Sequence, residues 1–198
     1  VSEWRTVAGL ALLLTLGACG SDRLSGRSPG WSSDPKATAT IMTGDQQVRR
    51  TPTAERPLRV TTVGDSVAFD ADPGIRAALE STGRVVVVTR SYGGVGLLRP
   101  QFDTYLAETM EGDPEVIVVM LGGWDLGEAL SEPAVYGHRI DQVLDVLVAD
   151  GAFVVWLGMP PTPPDEGLEE ARVVINMLFE EAAGRHLGTD YLSTDVQL

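Results

Sequence analysis

From Leu58 onward, short β-rich apolar runs alternate with longer segments whose apolar residues recur at helical spacing. Arg59 to Val63 predicts a first strand and runs directly into Gly64-Asp65-Ser66. A short helix over Pro73 to Glu80 is expected next, with Pro in its first turn and a stop near Gly83. Val85 to Val88 reads as a second buried strand, followed by the loop Gly93-Gly94-Val95-Gly96. Phe102 to Glu111 carries Phe102, Tyr105, Leu106 and Met110 on one helical face. Glu115 to Leu121 is apolar on both faces, as a central parallel strand requires. Val135 to Ala149 predicts an amphipathic helix with Ile140, Val143, Leu144 and Leu147 on its buried side. Phe153 to Leu157 gives a fourth strand, the proline run 160–164 a rim loop, Leu168 to Arg185 a helix, and Thr189 to Leu192 the start of a fifth strand. This alternation predicts an α/β domain over 58–198, a three-layer sandwich around a parallel, flavodoxin-like five-stranded sheet.

Upstream the pattern changes in kind. Arg5 precedes an apolar run from Val7 to Leu16, too short to cross a bilayer and of the length of a secretory h-region. The run ends in Leu16-Gly17-Ala18-Cys19, which resembles the lipobox of bacterial lipoproteins. That resemblance implies a signal peptide over 1–18, a lipidated Cys19 and anchorage to the membrane outside the cytoplasm; an ordinary signal peptide with an incidental cysteine is the alternative. Residues 19–57 are rich in Ser, Thr, Pro and Gly without a sustained apolar period, and are expected to form a flexible tether. One cysteine permits neither an internal disulfide nor a multi-cysteine metal site.

Charge changes the picture once it is divided by segment. The chain carries −13 overall, but residues 58–198 hold 23 acidic and eight basic residues, a balance of −15. Such a domain is expected to repel nucleic acid and other polyanions, whose binding depends on Lys and Arg. Asp70 and Asp72 have the spacing of a metal pair, yet acids near a helix start are favourable without any metal, and no metal is expected. The glycine loop 93–96 lacks the Gly-x-Gly-x-x-Gly spacing of a dinucleotide site, so no cofactor is expected either.

Three loops fall at the carboxyl ends of the first three strands: Gly64-Asp65-Ser66, Gly93 to Gly96, and Gly122-Gly123-Trp124-Asp125. Open α/β sheets keep their chemistry at that rim. Ser66 there is either a nucleophile or a helix N-cap. The three blocks, in this order, resemble the SGNH (GDSL-like) hydrolase superfamily over about Leu58 to Leu192. The resemblance implies Ser66 as the nucleophile, with its own N–H and that of Gly94 in an oxyanion hole, and Asp65 and Asp125 as supporting residues. Trp124 stands where the superfamily normally has an Asn donor, and the Gly-x-Trp-Asp form looks like that of cell-envelope members. Its indole either supplies the third donor or caps the sheet edge. The superfamily's final Asp-x-x-His block has no counterpart: Asp195-Val196-Gln197-Leu198 shares only the Asp, and His138 and His186 fall within and at the end of helices. The domain is therefore expected to be incomplete at its C-terminal side. The resemblance implies a monomeric esterase or O-acyl transferase acting on esters or acylated glycans of the cell envelope, or a silent domain of that fold binding glycans or partner proteins.

Overall fold

The computed structural model describes residues 50–195. The apolar leader, Cys19 and most of the expected tether lie outside the described residues. Strands β1 (Leu58–Gly64), β2 (Val85–Ser91), β3 (Val116–Met120), β4 (Phe153–Leu157) and β5 (Thr189–Leu192) form one all-parallel sheet in the order β2-β1-β3-β4-β5. Helices α1 (Ser66–Glu80), α2 (Phe102–Thr109), α3 (Leu126–Ser131), α4 (Pro133–Val148) and α5 (Glu169–Arg185) connect them. This is the three-layer, flavodoxin-like α/β architecture that the alternating pattern predicts.

The fully buried strand β3 divides the core. Its Val116, Val118 and Met120 face α1 together with Val60, Ala68, Ile75 and Leu79. Its Ile117 and Val119 face the opposite layer, built from α2 to α5 around Phe102, Leu106, Tyr136, Ile140, Leu144, Ile175 and Phe179. Period-two alternation along a strand that is apolar throughout thus supplies both faces of the sandwich. Burial of a side chain such as Leu or Phe contributes about 1.5–3 kcal/mol, so the two clusters are the main support of the sheet.

Three local expectations differ from the structure. Helix α1 begins at Ser66, not at Pro73, and Pro73 is its eighth residue. Proline inside a helix frees the carbonyl four residues back; here both Pro73 and Phe69 are exposed, so water can take that carbonyl. Strand β2 is not buried: Val86 and Val88 are 47% and 45% exposed, because β2 is an edge strand with one face left open. Helix α3, only six residues long, has too short an apolar pattern to be read from sequence, although Leu126 and Ala129 anchor it.

The register places Gly64, Ser91 and Met120 side by side at the carboxyl ends of three adjacent strands. At the opposite edge, Arg50 donates to Glu115 at 2.6 and 2.8 Å and to the carbonyls of Arg56 and Pro57, fixing where the chain enters β1. At the carboxyl end, Tyr105 of α2 accepts from the Gly64 N–H at 2.8 Å and donates to the Arg90 carbonyl at 2.7 Å. Its ring meets Tyr92 edge-on, with centroids 5.9 Å apart, and burial pushes the phenol pKa up.

Tyr105→Phe would leave a buried N–H and a carbonyl without their partner while preserving the ring. A loss of about 1–3 kcal/mol is expected in urea unfolding, with the slope unchanged. Stability equal to that of the unaltered protein would show that water replaces the hydroxyl.

Candidate active site

Loop 1 is fixed by the carboxylate of Asp65. Asp65 caps α1 by accepting from the Val67 N–H at 2.9 Å. Its second oxygen accepts from Gly122 at 3.2 Å and Gly123 at 2.8 Å, which binds loop 3 to loop 1. The capping role considered for Ser66 therefore falls to Asp65, and Ser66 becomes the first residue of the helix. Its side chain is exposed, and its hydroxyl makes no hydrogen bond among the described residues.

Loop 3 is tied to loop 2 by a second carboxylate. Asp125 accepts from the Leu97 N–H at 2.6 Å and from the Tyr136 hydroxyl at 3.2 Å, both on Oδ2. Its Oδ1 is buried without a partner among the described residues. Two buried acids, Asp65 and Asp125, thus connect the three loops in series. Burial raises the pKa of each, opposed by the bonds that each accepts.

Glycines permit the close approach. A Cβ on Gly64 would overlap Ala68 Cβ and the Met120 carbonyl oxygen, so α1 could not start where it does. Gly94 has φ +84°, a left-handed conformation that glycine adopts without cost. It turns loop 2 at the rim on which Ser66 stands. Trp124 is 49% exposed and lies under the Arg99 guanidinium, 5.7 Å from its ring centroid, and its indole N–H makes no hydrogen bond among the described residues.

The remaining candidates take other places. Asp72 is buried and accepts from Thr62 at 2.7 Å, whereas Asp70 is exposed, so the two do not share a site. Among the described residues no group of three or more His, Cys, Asp or Glu is arranged to hold a metal. His186 ends α5 ahead of β5, at the amino-terminal edge of the sheet, and contacts the Ala182 carbonyl at 2.9 Å and Asp145 at 3.3 Å. His138 is exposed on α4 and meets Gln142 one turn on. Asp195, just beyond β5, is held at 2.5 Å by Arg172, which also binds Glu169 and the Met159 carbonyl. Asn176 brackets Met159 by accepting from its N–H and donating to its carbonyl, fastening the loop after β4. Tyr105, Tyr136, Arg172 and Asn176 were not legible as rim supports, because each is an ordinary helical residue whose polar end matters only after the loops arrive.

A serine starts the first helix on the carboxyl rim of a five-stranded parallel sheet, and the whole is a three-layer α/β fold. Solved structures share it. The fold is similar to that of TesA, with 22% identity and a TM-score of 0.51 over 64% of this chain and 73% of that one. For AlinE4, an SGNH-hydrolase family esterase, the values are 20%, 0.51, 65% and 72%. For a family 3 carbohydrate esterase of Clostridium thermocellum they are 13%, 0.54, 72% and 81%. No curated protein matches the sequence. Residues 59–198 match the family described as "Protein of unknown function (DUF459)", and the chain belongs to that family.

The two carboxylates answer differently to amidation. Asp65→Asn would place an NH2 against backbone donors and is expected to lose about 1–3 kcal/mol. Asp125→Asn keeps an oxygen for Leu97 and Tyr136, puts the NH2 at the partnerless position and removes a buried charge. At pH 7 it is expected to be as stable as the unaltered protein or more so. A raised folded pKa means that the folded state holds its proton more tightly, so stability falls as pH rises from the ordinary carboxylate range through that pKa. Asp125→Asn should flatten that fall. Thermal unfolding across pH checks both, and a larger loss for Asp125→Asn than for Asp65→Asn would contradict the assignment.

Proposed function

We propose that this protein is a lipid-anchored, extracytoplasmic serine esterase or O-acyl transferase of SGNH type, acting on esters or acylated glycans of the cell envelope. The observation that supports it is the free, exposed hydroxyl of Ser66 on a rim where Asp65 and Asp125 hold loops 2 and 3 beside it. In this reading Ser66 Oγ attacks the ester carbonyl as its proton passes to a base. Backbone N–H groups of Ser66 and Gly94 receive the developing oxyanion. The alcohol leaves with a proton from the base, and the acyl group on Ser66 passes to water or to a sugar hydroxyl. Phe69, Tyr92 and Trp124, exposed just beyond the carboxyl ends of β1, β2 and β3, offer apolar surface to the substrate.

A second reading, a silent domain that binds envelope glycans, is favoured by one observation: neither histidine of the sequence meets the Ser66 rim. The nucleophile without a base retains only the residual catalysis of binding and the oxyanion hole, of order 10³–10⁴ over water. The protein, treated with a fluorophosphonate probe, is expected to be labelled at Ser66 and to hydrolyse p-nitrophenyl acetate. Ser66→Ala should remove labelling and turnover while leaving the fold intact. Protein that is neither labelled nor active would favour the binding reading, and activity lost on changing His138 or His186 would overturn the assignment of the site.

Anchoring has its own test. A lipid chain contributes about 0.8 kcal/mol per buried methylene, and two or more chains anchor firmly. Cys19→Ala is expected to move the protein from the membrane fraction to the soluble fraction. A soluble unaltered protein with residues ahead of Cys19 still attached would refute anchoring.

A further inference from the structure

Residues 50–195 contain ten arginines, and seven of them hold an acidic side chain within 4.0 Å. Among the described residues Arg56, Arg84 and Arg99 have no such partner. Arg56 and Arg84 stand just ahead of β1 and β2, at the amino-terminal edge of the sheet. Arg99 alone among them is at the carboxyl rim, in the loop between β2 and α2 that also carries Gly94. In a domain with 23 acids against eight bases, a guanidinium without an acid partner at the rim is against the prevailing pairing.

Its position is built rather than incidental. The Arg99 N–H donates to the Gly96 carbonyl at 3.1 Å and the Arg99 carbonyl accepts from Phe102 at 2.9 Å, so its backbone is held in the turn leading into α2. The guanidinium lies over Trp124, and Asp125 beneath feels its charge. Asp125 is almost fully buried with its Oδ2 held by Leu97 and Tyr136, and no ion pair joins it to Arg99 among the described residues. The indole covers one side of the guanidinium and leaves its donor edge open, the arrangement in which Arg takes a carboxylate or phosphate by paired N–H bonds. Trp124 follows Gly123, whose N–H is bonded to Asp65, the residue before Ser66, so the pair belongs to the same rim as Ser66.

We propose that Arg99, seated on Trp124, is a recognition site for one anionic group, a carboxylate or a phosphate, carried by the substrate. The surrounding negative charge favours small anions of low charge and repels polyanions. The anion sits on the acyl part or on the alcohol part of the ester. Its place beside a reacting ester rests on the esterase reading, while the anion site itself does not.

Binding and turnover separate the two. The full-length protein is titrated with sodium glucuronate, sodium succinate and inorganic phosphate, with tryptophan fluorescence as the signal. A saturable change is expected that is weakened about tenfold or more in Arg99→Gln, partly kept in Arg99→Lys and silent in Trp124→Phe. For turnover, p-nitrophenyl hemisuccinate is compared with p-nitrophenyl butyrate, and acetylated glucuronate with acetylated glucose. The ratio of kcat/KM, anionic over neutral, should fall about tenfold or more in Arg99→Gln. A fall in the first pair places the anion on the acyl side, and a fall in the second places it on the alcohol side. Absence of any saturable signal, or ratios equal in the unaltered and Arg99→Gln proteins, overturns the anion site. Saturable binding without hydrolysis of any ester supports the anion site and sinks the esterase reading alone.

Discussion

The rim depends on the carboxylate of Asp65. One side chain accepts from three backbone N–H groups, one at the start of α1 and two in the loop after β3. It therefore caps a helix and closes a loop in the same place. Removal of this acceptor would leave three donors, that of Gly122 buried, and would free Gly122 and Gly123 from the first loop. Asp125 repeats the device one loop further on, through Leu97. Both acids are buried, and burial opposes their charged form, which is why their pKa values are raised even with several hydrogen bonds to each. The desolvation of two carboxylates is offset by order imposed on three loops that have no regular secondary structure of their own.

That order is what gives Ser66 its meaning. A serine on an exposed helix start is common, and by itself carries little. Here the capping role is filled by its neighbour, its hydroxyl has no partner among the described residues, and glycine-rich backbone from two other loops is held at the same rim. The sheet supplies the frame: register places Gly64, Ser91 and Met120 level, so that the following residues emerge on one edge. Arg99 and Trp124 then add a charged and aromatic flank on a domain that is otherwise strongly acidic.

Much of this was legible in the sequence, for identifiable reasons. The apolar runs of β3 and β4 and the helical spacing of α4 and α5 are strong local signals, and β4 and β5 begin and end where the pattern places them. Gly64-Asp65-Ser66 and Gly122 to Asp125 announced themselves through small residues at strand ends. Edge and middle could not be told apart for β2, since four valines in a row read as buried whether or not a helix covers both faces. The start of α1 was missed because Pro73 imitates a first-turn proline. The roles of Asp65 and Asp125 as loop ties, and of Tyr105 and Tyr136 behind them, depend on residues more than ten positions away and have no periodic signature.

Amide hydrogen exchange tests the linked loops most directly. If Asp65 and Asp125 hold the rim, the N–H groups of Gly122, Gly123 and Leu97 exchange slowly, with protection well above that of the neighbouring exposed loop amides of Gly93 and Trp124. Exchange of Gly122, Gly123 and Leu97 at the rate of those neighbours would show that the loops are not joined, and that Ser66 stands on an open edge.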